Sequence, residues 1–130
     1  MRAVSAEKLL VIGLDCADPV LLFQRWRDRL PFFSSLMDRG CYAEMRSTIP
    51  PITVPAWTAM MTSKDPGQLG IYGFRNRRSY DYDALSFATS RSVTHRRVWD
   101  ILSAAGRRVV VVGVPQTYPP TAVNGCLISG

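Results

Sequence analysis

Apolar residues fall along this chain in short continuous runs, separated by turns rich in proline and glycine, rather than in one long amphipathic repeat. Residues 8–15, Lys-Leu-Leu-Val-Ile-Gly-Leu-Asp, are apolar until the closing carboxylate, a pattern that predicts a strand covered on both faces, as in a parallel sheet. A turn at Ala17-Asp18-Pro19 leads into a weakly helical segment, 20–26. Residues 30–39 predict a second short helix: Pro31 sits near its first turn, Phe32, Leu36 and Met37 recur at helical spacing, and Gly40 stops it. Residues 41–45 alternate enough to predict a strand. The prolines of 48–55 forbid regular pairing, and Pro55 is placed to open a helix over 56–62.

Residues 63–67 carry turn chemistry, 68–74 read as a Gly-punctuated loop, and 75–92 read as an exposed, basic loop. Thr94 could cap a helix over 95–105, with Val98, Ile101 and Leu102 on one face and Gly106 as its stop. The four consecutive valines of 107–114 predict a central parallel strand, ended by Pro115 and the Tyr118-Pro119-Pro120 run. Another element begins near 123–129. Strands separated by crossover helices predict an α/β fold with a largely parallel sheet, whose ligands gather at the carboxyl ends of the strands.

Length and composition narrow this picture without changing it. The 130 residues suffice for one domain and one core, with no room for two. No segment reaches the roughly 18 to 20 apolar residues of a membrane span. The apolar stretch after residues 1–8 is too short for a secretory signal and lacks a cleavage site, so a cytoplasmic protein is expected. Cys16, Cys41 and Cys126 are odd in number and widely spaced, which predicts reduced, partly buried thiols rather than disulfides or a zinc knuckle. Sixteen basic residues against ten acidic ones leave +6, with arginine clustered between Arg75 and Arg108. Such a field would attract phosphate esters or nucleic acid. The arginines lack interleaved aromatics in sequence, so a solvated face is the simpler expectation.

Two residues stand where chemistry could occur. Asp15 follows the first predicted strand, where a carboxylate is held at the mouth of a sheet and could bind a hard cation; a turn-forming or helix-capping role is the alternative. Thr53 lies just before the proline-initiated helix, so its hydroxyl is expected near free backbone N–H groups. It could be an N-cap, or a nucleophile whose alkoxide and target phosphate that field stabilises. A threonine hydroxyl would need a metal to lower its pKa, and Asp15 is the candidate to hold that metal.

These residues resemble a known pattern. The apolar run ending in Asp15, then Ile52-Thr53-Val54-Pro55-Ala56-Trp57-Thr58, then Pro66-Gly67-Gln68-Leu69-Gly70-Ile71, is similar to the start of the type I phosphodiesterase/nucleotide pyrophosphatase family of the alkaline phosphatase superfamily. Val98-Trp99-Asp100-Ile101-Leu102 with Gly106, and Val112-Gly113-Val114-Pro115 with Tyr118-Pro119, resemble its bacterial and archaeal phosphohydrolase branch. The resemblance covers roughly residues 9–120. It implies the N-terminal part of an alkaline-phosphatase-like, mostly parallel sheet with helices on both faces. It also implies a metal-dependent phosphoric ester hydrolase, with Thr53 as nucleophile and metal ligand and Asp15 as a second ligand. Two divalent ions are implied, zinc foremost, with manganese or magnesium as alternatives.

The sequence departs from the pattern at two positions and lacks its later metal ligands. Ala56 or Trp57 stands where nucleotide-cleaving relatives often carry Asn, and Leu69 stands where His usually precedes the glycine. Thr53 does not fit a sulfatase, which needs Cys or Ser, and argues mildly against a phosphoglycerate mutase, which usually carries Ser. The single histidine, His95, sits among arginines and reads as a surface residue. A two-metal site needs several Asp and His ligands, so the 130 residues are expected to be the N-terminal portion of a larger catalytic domain, inactive alone, whose partners are a small phosphate-ester substrate and the missing C-terminal part. Neither membrane nor nucleic acid is expected as a partner. The competing reading is a small basic α/β module that binds nucleic acid or a phosphorylated partner without catalysis.

Overall fold

The structure is a computed structural model that describes residues 8–130; residues 1–7, including most of the stretch read for a signal sequence, lie outside the described residues. The chain divides into two compact units, one ending at Glu44 and one running from Met45 to Gly130.

In the first unit the apolar run is not a strand. Among the described residues, 8–14 have no ladder partner, and Leu9, Leu10, Val11 and Ile12 are each at least 64% exposed. Hydrophobicity gives a segment the capacity to be buried in a sheet, but a strand exists only where a neighbour completes its hydrogen bonds. Residues 41–45, predicted as a strand, are irregular for the same reason. The helical expectations hold better, because a helix closes its bonds within itself. Asp18 Oδ1 accepts from the backbone N–H groups of Val20 (2.9 Å) and Leu21 (3.1 Å), starting a helical segment that widens into a π-turn over Leu21–Arg25. Helix α1, Pro31–Arg39, has proline in its first turn and Gly40 at its end, and buries Met37. Phe23 stacks on Phe33 with centroids 6.1 Å apart and meets Tyr42 edge-on at 5.1 Å.

The second unit holds two buried apolar clusters. Helix α2, Thr53–Thr62, begins three residues earlier than predicted and buries Val54, Pro55 and Thr58. Helix α3, Pro66–Leu69, replaces part of the predicted loop. It is started by a capping box in which the Gln68 N–H donates to Asp65 Oδ1 at 2.8 Å, and Gly70 ends it at φ +66. Val54, Leu69, Ile71 and Val93 form the first cluster.

The predicted basic loop contains an antiparallel hairpin: β1, Arg75–Arg77, pairs with β2, Leu85–Phe87. Helix α4, Val98–Ala104, starts three residues later than predicted, and Arg97 rather than Thr94 is its N-cap. The expected apolar face is also wrong. Val98, Ile101 and Leu102 are 37–51% exposed, while Trp99 is buried at 5% and packs with Val109 and Val111 in the second cluster. Strand β3, Val109–Val114, is where the valines predicted it, and it pairs in parallel with β4, Gly125–Ser129. It is not a central strand. The sheet has two strands, and burial alternates along β3: Val109 and Val111 point inward, and Val110 (70%) and Val112 (62%) face out.

The fold is therefore mixed α/β, with one parallel pair and one antiparallel pair among the described residues. All three cysteines are free and exposed, against the expectation of partial burial. No described helix is long and apolar enough to cross a membrane.

Candidate active site

Asp15 lies in a turn directly after the apolar run, exposed, and is followed by Cys16 at φ +55. The capping role that an Asp could play here belongs to Asp18, three residues on, whose carboxylate takes the two N–H groups at the helix start. Asp15 is thus placed in the turn ahead of the helix rather than at its cap.

Thr53 is the first residue of α2 and is half-buried. Sequence reasoning put it just before the helix, as a possible N-cap or nucleophile. The N-cap is Ile52, extended at φ −115 and ψ 146, and its aliphatic side chain makes no capping bond. The turn beneath Thr53 is firmly held. Val54 and Pro55 are fully buried, and the Ala56 N–H donates to the Ile52 carbonyl at 3.0 Å. Pro55 contributes no N–H, so this turn offers fewer backbone donors to an anion than an ordinary helix start. The other two helix threonines differ in kind: Thr58 Oγ1 and Thr62 Oγ1 donate back to the Val54 and Thr58 carbonyls, each at 2.7 Å.

Asp15 belongs to the first unit and Thr53 to the second. Both supply hard oxygen donors of the kind a divalent metal accepts. They do not amount to a complete site. Among the described residues no three His, Cys, Asp or Glu side chains come together. His95, at a bend ahead of α4 rather than on the helix as predicted, is 3.4 Å from Thr94 Oγ1 and joins no such cluster. The donor set fits a metal in kind and falls short in number, so no catalytic step is derived through one.

Leu69, where histidine is usual, is 8% exposed and packs in the first cluster with Val54, the neighbour of Thr53. At this position the residue serves the packing of α2. One arrangement was not foreseen from the sequence: Arg75 lies 5.0 Å from the centre of the Phe87 ring, and Arg77 lies 4.1 Å from that of Tyr82. Arginines and aromatics that are separate in sequence are interleaved on the hairpin.

No curated protein and no solved structure matches the chain significantly. A family model does, over residues 9–126, a span that includes Asp15, α2 with Thr53, the buried Leu69 and Ile71, and all of β3. With that match over nearly its whole length, the chain belongs to the type I phosphodiesterase/nucleotide pyrophosphatase family, a family of phosphodiesterase- and pyrophosphatase-type hydrolases.

Proposed function

We propose that this chain carries the nucleophile-bearing part of a metal-dependent phosphoric ester hydrolase, with Thr53 as the nucleophile. The observation that supports it most is the position of Thr53 at the head of a buried-anchored helix whose own N-cap, Ile52, is aliphatic. A threonine there is not needed as the cap.

In this reading Thr53 Oγ1 attacks phosphorus in line. The Oγ–P bond forms, the bond from phosphorus to the leaving oxygen breaks, and the hydroxyl proton passes to solvent or a nearby base. Water then cleaves the Oγ–P bond, releasing phosphate or a phosphomonoester and restoring the hydroxyl. The helix start favours the negative charge on the phosphoryl oxygens, and the burial of Val54 and Pro55 fixes the hydroxyl against rotation of the turn. The chemistry a bound divalent metal supplies is Lewis-acid activation of the hydroxyl and of water. Asp15 and Thr53 would be two of its ligands, zinc being the favoured ion, with the others supplied from outside these 130 residues. The chain alone is then inactive.

The test is hydrolysis of a chromogenic phosphodiester by the intact protein. Thr53→Ala is expected to lower the rate by about 10³-fold or more, as loss of a nucleophile does, while Thr53→Ser keeps measurable turnover. Thr53→Ala with the rate of the unaltered protein would remove Thr53 from the chemistry.

A second reading has one observation in its favour, the arginine–aromatic stacking of the β1–β2 hairpin. A non-catalytic module would use that surface on nucleic acid or a phosphorylated partner. It requires an affinity that falls steeply with salt, weakens in Arg77→Ala and ignores Thr53→Ala.

A further inference from the structure

We propose that the cleft between α2, the N-terminal end of α4 and the turn after β3 is the site of one internal water molecule, bonded between Trp99 Nε1 and Gln116 Oε1. Both atoms are buried, and neither has a hydrogen-bond partner within the protein. Both residues line the same cleft, with Thr58, Thr62 and Arg97 among the polar groups around it. An unpaired buried donor and an unpaired buried acceptor that line one cleft can both be satisfied by a mediator that accepts from the first and donates to the second. Water does both.

Size decides between water and a larger ligand. The cleft has about 10 Å³ of room for a water-sized centre, which is one molecule's worth and far too little for a nucleobase or a phosphate ester. Further partners are at hand. Thr58 and Thr62 spend their hydroxyl protons on their own helix and keep acceptor lone pairs, so a water could use its second hydrogen there. Gln116 is held for the role by the turn after β3, where its backbone adopts φ +64. Met61, Val93 and Pro115 are the apolar residues among its lining. The water would tie the end of β3 to α4 beside the helix that begins with Thr53, whatever chemistry Thr53 performs.

The test is water-to-protein cross-relaxation on the intact protein labelled with ¹⁵N-tryptophan. The Trp99 indole resonance, one of three in the sequence, is assigned by its loss in Trp99→Phe. The expected result is a cross-peak from the Trp99 Nε1 proton to water with the sign of a long-lived bound molecule. Proton exchange is separated from it by its opposite sign in the rotating frame. Gln116→Met, which removes the acceptor at similar length, is expected to abolish the peak. A Trp99 proton with no such peak in the unaltered protein overturns the proposal, and that measurement stands even if Gln116→Met does not fold. A peak that persists undiminished in folded Gln116→Met overturns it too.

Discussion

Two runs of this chain read almost identically and fold differently. Residues 9–14 and β3, Val109–Val114, are both continuous apolar stretches that end beside a turn. The second has a parallel partner in β4 and a tryptophan beneath it, so Val109 and Val111 are buried at 8% and 6%. The first has neither, and Leu10 is 81% exposed. What separates them is the company each keeps, since strand propensity measures how well a side chain suits a covered, pleated surface and cannot itself supply the cover. The same contrast holds for the units around them. One has two apolar clusters, and the other rests on Met37, three aromatic rings and local helical bonds.

The contrast can be tested by substitution, with the largest effect expected at the β3–β4 pair. Gly125 sits at φ +149, and a Cβ there would lie 1.9 Å from the Val109 carbonyl oxygen. Gly125→Ala must therefore push β4 from β3, lowering stability by about 3 kcal/mol in urea unfolding. A variant as stable as the original would mean that the pair is not essential to the second unit. Next comes a matched comparison. Val111→Ala should cost about 2 kcal/mol through lost burial and the cavity left, while Ile12→Ala, at 71% exposure, should change stability by less than about 0.5 kcal/mol. Equal costs would break the comparison, by showing the 9–14 run to be covered after all. The smallest effect is expected in the first unit, at the exposed Arg27–Asp38 ion pair, 2.8 Å apart. Asp38→Asn should cost less than about 1 kcal/mol, and less again at high salt.

Much of the candidate site was legible from residue order, because its signals are local. Asp15 closes an apolar run, and Thr53 stands two residues before the proline that sits in the first turn of α2. The register was not legible: whether Thr53 caps the helix or begins it depends on where the backbone turns helical, and the burial of Val54 and Pro55 settles that. Leu69, noted in the sequence only as a departure from the family pattern, is a core residue, which its place in the cluster with Val54 reveals. The arginine–aromatic pairs were invisible for a similar reason, since Arg75 and Phe87 meet only through the hairpin register.

The sequence by itself determined the elements whose bonds close nearby. These are α1 between Pro31 and Gly40, α2 near Pro55, the turns at Asp65 and Gly70, and the valine strand as a place able to be buried. Tertiary structure alone decided which apolar residues are covered. It chose Trp99 over Val98, Ile101 and Leu102, turned one face of β3 inward and left the other in solvent, and left 9–14 unpaired. The reason is the reach of the forces involved. Caps, proline geometry and helical hydrogen bonds act over about four residues, whereas a ladder or a buried cluster exists only when distant parts of the chain meet.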